Sequence, residues 1–257
     1  MLAWLKQILQ AVPLTAQVLL ALWVVTLVTM PTLQRMWGER AMTLGISAGV
    51  ILQAALVVIL LVSAHGWRNA ALSAMAIVIL GWIAEFIGSR TGFPFGYYAY
   101  TERLKPQLGH VPVLIPLAWL MMLPPAWAVS YGITGETRGI AFILVSGLAF
   151  TVWDLYLDPQ MVRWRLWTWS DRMKRVPGIF GIPWTNYAGW FAVSALITLA
   201  IAPDVSSPEP LLLVYGLTWI LEMVGQLVFW RLPGPALAGA AGMGVCLLVA
   251  LMRMRAS

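Results

Sequence analysis

The chain has 257 residues, of which 61% are hydrophobic and 10% are charged. A soluble domain carries about 25% charged residues, so this composition indicates an integral membrane protein. The net charge of +6 comes from Lys and Arg residues distributed among the loops, a pattern of membrane proteins that argues against a nucleic-acid partner.

The predicted elements begin with residues 1–12, where apolar side chains around Lys6 indicate a short interfacial helix. Eight apolar runs follow, each near the roughly 20 residues that a helix needs to cross the hydrocarbon layer. Gly239, Gly242 and Gly244 lower the hydropathy of the last run, so seven spans is the alternative. We predict an all-α, polytopic transmembrane helix bundle in a single domain, 1–257. The predicted spans are 13–35, 42–64, 70–88, 112–131, 139–158, 185–202, 210–230 and 234–252.

Two connecting loops are long, at about 89–111 and 159–184, and both are rich in glycine, proline and aromatic residues. We expect them to fold over the bundle as a lid, because long loops in a compact bundle are usually functional or disordered. Counting Lys and Arg by side gives 11 on the side of these loops and 5 on the other. The positive-inside rule therefore predicts that the long loops are cytoplasmic and that both termini face the opposite side.

Several kinds of chemistry are excluded by residue counts. Cys246 is the only cysteine, so neither an internal disulfide nor a cysteine-built metal site can form. His65 and His110 are too few and too far apart for the histidine clusters of membrane di-iron oxygenases. None of the three lysines lies in the middle of a span, which excludes a retinal Schiff base.

Four acidic residues lie inside or at the edge of the predicted spans, namely Glu85, Asp154, Asp158 and Glu222. A carboxylate in hydrocarbon costs several kcal/mol or becomes neutral, so such residues usually have a function. All four lie toward the C-terminal ends of their runs, and spans of the same direction would place them in one leaflet. The pattern W-I-x-E-x-x-G at 82–88 and 219–225 pairs Glu85 with Glu222.

Asp154 and Asp158 are four residues apart, so a helix places both on one face. One interpretation is a proton-donating pair, and another is a magnesium site of the D-x-x-x-D kind found in polyprenyl transferases. The structural alternative is a helix end that meets water, with Asp158 solvated.

Aromatic and polar residues near these carboxyls are candidates for a substrate pocket. The same aromatic residues would also suit an interfacial belt, and Asn186 would suit a helix cap as well as a group that orients water. The candidate substrate-binding residues are Trp82, Phe93, Phe95, Tyr97, Tyr98, Trp119, Trp153, Asn186 and Tyr187.

Several blocks resemble a known family when they are taken in order. They are Glu85 with 92–101 (GFPFGYYAYT), 111–119 (VPVLIPLAW), 154–159 (DLYLDP) and 181–190 (GIPWTNYAGW). Together they resemble the membrane-bound carotenoid 1′,2′-hydratases of the bisanhydrobacterioruberin hydratase and γ-carotene hydratase types, over about residues 75–190. The resemblance implies addition of water to the terminal C1′=C2′ double bond of an acyclic carotenoid end, without a redox cofactor. Implied substrates are lycopene, γ-carotene or a longer acyclic carotenoid.

Hydration of an alkene needs an acid that protonates one carbon and a base that takes a proton from the attacking water. We expect Asp154 to be the acid and Glu85 or Glu222 the base, with Asp158 in the same catalytic set. No cofactor and no metal is expected. The expected partners are the carotenoid, the lipid bilayer of a prokaryotic cytoplasmic membrane and other carotenoid-pathway enzymes. Competing hypotheses are a proton-coupled transporter, a carotenoid-binding membrane protein and a magnesium-dependent polyprenyl transferase.

Overall fold

A computed structural model of the protein describes residues 2–256, and most of this range is helical. The helices are α1 (Leu2–Ala11), α2 (Leu14–Thr91), α3 (Leu114–Thr134), α4 (Ile140–Arg163), α5 (Trp184–Ile201), α6 (Glu209–Val224) and α7 (Pro233–Ala256). A π-helical turn, Gly225–Phe229, continues α6. Among the described residues, α2 to α7 are long and apolar enough to cross a membrane, which fits an integral membrane protein.

The 78-residue α2 covers the first three predicted spans. Its backbone leaves the helical conformation at Gly38 (φ 68°, ψ −148°) and Gly66 (φ 77°, ψ 161°), which lie between those spans. Positive φ values favour glycine because it has no Cβ. The two breaks divide α2 into segments 14–37, 39–65 and 67–91, and each of the five remaining predicted spans coincides with one helix, α3 to α7.

Helix α3 occupies the centre of the bundle and packs against α2, α4, α6 and α7, while α4 packs against α3, α5 and α7. Two glycines allow α7 to approach α4 closely. A Cβ at Gly239 would lie 2.6 Å from the Tyr156 ring, and one at Gly242 would lie 2.9 Å from Val152. This small-residue face of α7 therefore packs within the chain.

The two long loops contain short strands, which the prediction of a purely helical fold missed. Strand β1 (Tyr98–Tyr100) of the first loop pairs antiparallel with β4 (Trp167–Trp169) of the second. Backbone N–H and C=O groups in a buried loop need hydrogen-bond partners, and this pairing supplies them. The other strands form two local pairs, β2 (Gln107–Leu108) with β3 (Val111–Pro112) and β5 (Gly178–Ile179) with β6 (Ile182–Pro183).

Phe95 anchors the first loop on the bundle. Its buried ring lies between α2 and α5, where an added Cβ would come within 2.6 Å of the ring at Gly88 and within 2.7 Å at Gly189. The Thr185 hydroxyl also donates a hydrogen bond of 3.2 Å to the Phe95 carbonyl. The first long loop therefore packs on the helices, and the β1–β4 pairing joins the second loop to it. That the two loops act as a lid stays a prediction.

Candidate active site

Glu85 is buried near the C-terminal end of α2 and accepts hydrogen bonds on both carboxyl oxygens. The hydroxyls of Tyr98 and Tyr100 both donate to Oε2, the latter at 2.7 Å, and the Trp119 indole donates to Oε1 at 3.1 Å. Three donors around one carboxyl suit the acceptor-only form of the group, a carboxylate.

Asp154 and Asp158 lie on one face of α4, as the spacing predicts, and both are fully buried. The Asn186 amide nitrogen donates to Oδ2 of each aspartate, at 2.8 Å to Asp154. The Trp167 indole donates to Oδ1 of Asp158. Oδ1 of Asp154 has no hydrogen-bond partner within residues 2–256, which suits a carboxyl that carries a proton there.

The pairing of β1 with β4 positions the hydrogen-bond donors of two carboxyl groups, those of Glu85 and Asp158. In the antiparallel register, Tyr98 is opposite Trp169 and Tyr100 is opposite Trp167. Side chains alternate between the two faces of a strand, so these four aromatic groups point toward the helices. Burial raises the pKa of Tyr98 and of Tyr100 well above the usual range, so both remain hydroxyl donors. One loop pair thus supplies hydrogen bonds to Glu85 and to Asp158.

A small cavity of about 30 Å³ lies between the carboxyl groups and the strands. Glu85, Asp158 and Asn186 contribute its polar wall, and Trp119 and Trp190 contribute aromatic faces. A buried water needs roughly 10–15 Å³ of such space and two to four polar partners, so the cavity has room for one or two waters.

A second cavity, of about 100 Å³, is mainly apolar and lies among α2, α3, α4 and α6. Ile115, Ala118, Leu157 and Trp167 line both cavities, so the two share a wall. An apolar chain end in the larger cavity would therefore approach the water-sized cavity and its carboxyl groups.

Eight of the thirteen predicted site residues line one of these two cavities. Asp154 lines neither, although it shares Asn186 with Asp158. Glu222 lines the larger cavity, half-buried, and its described hydrogen bond is a long one from Gln226 at 3.5 Å. Trp153 also lines the larger cavity. The predicted residues that line the small cavity are Glu85, Phe95, Tyr98, Trp119, Asp158 and Asn186.

Four candidate pocket residues lie outside both cavities. Phe93 and Tyr97 are 75% and 45% exposed, because they lie on the outer side of the first loop. The Trp82 indole donates to the Leu108 carbonyl at 3.2 Å, so it anchors the first long loop and does not line a cavity. Tyr187 is buried beside Trp184 on α5.

Four aromatic residues of the small cavity were not among the predicted ones, namely Tyr100, Trp167, Trp190 and Trp169. Tyr100 contacts Glu85, Trp167 contacts Asp158, and Trp190 stacks on Trp119 with ring centroids 5.1 Å apart. The alternation Y-A-Y at 98–100 and W-T-W at 167–169 carries a strand signal that could have identified the first two.

A family model described as "Carotenoid biosynthesis protein" matches residues 45–250, which include every residue that lines the small cavity. The chain belongs to the carotenoid biosynthesis protein family. This membership agrees with the resemblance of the sequence blocks.

The chain is similar to bisanhydrobacterioruberin hydratase from Haloarcula japonica, to which it is 31% identical over 135 residues. The aligned region covers 51% of this chain and 44% of that protein, so the chain matches less than half of the relative. No solved structure matches the chain.

Proposed function

We propose that this member of the carotenoid biosynthesis family is a hydro-lyase that hydrates the terminal C1′=C2′ double bond of an acyclic carotenoid end to a tertiary alcohol. The observation that carries the proposal is the water-sized cavity with Glu85 and Asp158 in its wall, beside a mainly apolar cavity. The similarity to a protein named as a hydratase supports the same reaction.

In the first step, the Asp154–Asp158 pair protonates the alkene. Asp158 lines the cavity and is the group that touches the substrate, while Asp154 shares the Asn186 amide with it. Two neighbouring buried carboxyls favour a single negative charge, so the pair retains one proton. The proton of the pair passes from Asp154 to Asp158, the O–H bond of Asp158 then breaks as the π electrons form the C2′–H bond, and a tertiary cation remains at C1′.

The aromatic and ionised groups of the cavity stabilise this cation. Trp119 and Trp190 line the small cavity and stack on each other, and indole faces attract cations. The Glu85 carboxylate supplies a negative charge that its three donors hold in place before the cation forms.

In the last step, water in the small cavity attacks C1′, and Glu85 takes a proton from it. The C1′–O bond forms from a lone pair of the water oxygen, and the alcohol remains. The proton then returns from Glu85 to the aspartate pair before the next turnover, so the net reaction adds one water and consumes nothing else.

The proposal includes the arrangement in the membrane. The breaks at Gly38 and Gly66 divide α2 into three segments, each longer than 20 residues, which supports eight spans within one domain. The charge distribution of the loops supports cytoplasmic long loops and termini on the opposite side. The carotenoid would then enter from the bilayer, and water from the cytoplasm.

The test is expression in cells that accumulate lycopene and γ-carotene, followed by chromatography and mass spectrometry of the pigments. The proposal predicts a product that is heavier by one water and keeps the absorption spectrum of the polyene. Cells that express Asp158→Asn at the same level in the membrane are the control and should lack the product. Unchanged pigments with the wild-type protein present in the membrane would contradict the proposal for these substrates.

A further inference from the structure

The larger cavity is too small to enclose a carotenoid, so most of the substrate lies outside it when the reacting end is inside. Its volume is about 100 Å³, whereas pockets that enclose even a drug-sized ligand have roughly 300–1,000 Å³. The rest of the polyene is apolar and is stable only against other apolar groups, those of the protein surface or of the bilayer. The cavity therefore needs an opening toward the bilayer, at a seam between two helices.

Two of the seams around this cavity are held closely. The first two segments of α2 approach each other at a glycine, where a Cβ at Gly49 would lie 3.1 Å from the Leu27 side chain. Helix α4 is joined to the π-helical turn that continues α6, because the Gln226 amide donates to the Tyr156 carbonyl at 2.9 Å. A polyene could pass either seam only by disrupting this packing or this hydrogen bond.

The seam between the first segment of α2 and α6 is different, because its contacts lie near its two ends. At the end near α1, Leu20 and Leu213 line a gap of only about 10 Å³, which leaves no room for a polyene. At the other end, the Trp230 indole donates to Gln34 Oε1 at 3.1 Å. Within residues 2–256, this is the one hydrogen bond between the first segment and residues 209–230. Between the two ends, side chains of both elements line the larger cavity.

Trp230 forms the wall of the larger cavity at this seam. The side chain lines the cavity and is only half-buried, so it separates the cavity from the outside. Its ring packs on Gly225, where a Cβ would overlap it, and lies edge-on to Trp164 with ring centroids 5.0 Å apart. Because side chains change rotamer far faster than helices move, rotation of this indole would open the cavity without moving a helix.

The outer sides of both elements at this seam are apolar. Val25 and Val28 are exposed on the first segment of α2, and Val224 and Val228 are exposed on α6 and its π-helical turn. Exposed apolar side chains on a membrane-spanning helix face lipid or another apolar partner. A polyene that leaves the cavity past Trp230 would therefore remain in apolar surroundings.

We propose that the polyene passes between the first segment of α2 and α6, and that Trp230 with Gln34 is the gate of this passage. The inference rests on the proposed hydration and adds to it the place where the polyene binds. With the gate open, the reacting end lies in the larger cavity, against the wall shared with the small cavity, and the polyene extends past Trp230 into the bilayer. The face of the indole ring can then stack on the conjugated chain.

The first experiment closes the gate with a removable bridge. Gln34→Cys and Trp230→Cys are combined with Cys246→Ala, which removes the native thiol, and a short bifunctional thiosulfonate reagent links the pair in membranes. The matched control links His65→Cys to Asp204→Cys in the same background. The side chains of His65 and Asp204 are 4.0 Å apart, and both residues lie outside the two cavities.

We expect the bridge at the gate to lower the initial rate of hydration by about 10-fold or more, because gating of substrate access then limits turnover. A reductant should restore the rate, and the bridged control should keep its rate. Equal rates before and after reduction of the gate pair would overturn the inference and leave the hydratase proposal standing.

The second experiment detects the polyene without relying on hydration. A diazirine reagent is attached to Leu27→Cys, whose position lies in the cavity wall on the first segment of α2, again with Cys246→Ala. The control position is Leu196→Cys, because Leu196 is 62% exposed on α5 and lines neither cavity. After illumination, position 27 should capture more lycopene or γ-carotene per protein than position 196.

The outcomes separate the passage from the reaction. Equal capture of pigment at the two positions would overturn the inference, whether or not the gate variants fold. Capture at position 27 by a protein that hydrates neither lycopene nor γ-carotene would support the passage and reject the proposed hydration of these substrates.

Discussion

Replacing Glu85 with glutamine tests the role of this carboxylate with the smallest change of shape. Glutamine keeps one oxygen, which can go on accepting from the Trp119 indole. Its NH₂ group then faces the hydroxyls of Tyr98 and Tyr100, which can rotate and accept. The substitution therefore removes a charge and weakens three hydrogen bonds without leaving an atom unpaired.

The expected magnitudes follow from these contacts. Hydrogen bonds to a charged group contribute about 1.5–3 kcal/mol each to stability, and neutral ones contribute about 0.5–1.5 kcal/mol. A neutral amide costs less to bury than a carboxylate, which offsets part of the stability lost with the stronger hydrogen bonds. We expect Glu85→Gln to lower the free energy of unfolding by about 1–3 kcal/mol. Loss of a general base lowers the rate by about 10²–10⁴-fold, so activity should fall far more than stability.

The assay measures the initial rate of hydration in membranes together with the thermal unfolding midpoint in detergent. Glu136→Gln is the control, because Glu136 is an exposed residue just after the C-terminal end of α3, and it should leave both quantities unchanged. A Glu85→Gln protein that folds and retains at least a third of the wild-type rate would refute the assignment of Glu85 as the base.

Three further predictions follow from other contacts. Trp167→Phe keeps an aromatic side chain, although a smaller one, and removes the N–H donor to Asp158, so the hydration rate should fall about 10–100-fold, and an unchanged rate would contradict this role. Gly239→Val places a Cβ 2.6 Å from the Tyr156 ring and should destabilise the protein by about 1–3 kcal/mol, measured as a lower unfolding midpoint in detergent. Because burial raises the pKa of Tyr98, stability should decrease as the pH rises above about 10, where tyrosine in the unfolded chain ionises, and Tyr98→Phe should reduce this dependence.

The helices could be predicted because each depends on a local property, a run of about 20 apolar residues. The predicted boundaries differ from those of the structure by a few residues, for example 112–131 against Leu114–Thr134 for α3. The breaks of α2 at Gly38 and Gly66 also lie where the hydropathy falls between runs.

The arrangement of the site could be predicted only in part, because it depends on contacts between distant parts of the chain. The spacing of Asp154 and Asp158 correctly places both on one helix face. Tyr100 and Trp167, however, are brought together by strand pairing between two loops, and no local periodicity reports on that pairing. The matching sequence pattern around Glu222 gave no information on which cavity this residue lines.

The distinction between Asp154 and Asp158 also required the structure. The two aspartates have similarly apolar sequence neighbours, and Asp154 was the expected acid because it lies deeper in the predicted span. The structure places only Asp158 in the wall of the small cavity and makes Asn186 the link between the two. Depth in a helix is readable from sequence, whereas contact with a cavity depends on what packs against that helix.

The most direct test of the water-sized cavity is hydration in water labelled with heavy oxygen and deuterium, with the product analysed by mass spectrometry. The account predicts one heavy oxygen in the new hydroxyl at C1′ and one deuterium on C2′, with both labels absent from pigments of the Asp158→Asn protein. An alcohol oxygen without the label, or full labelling by the Asp158→Asn protein, would contradict the account.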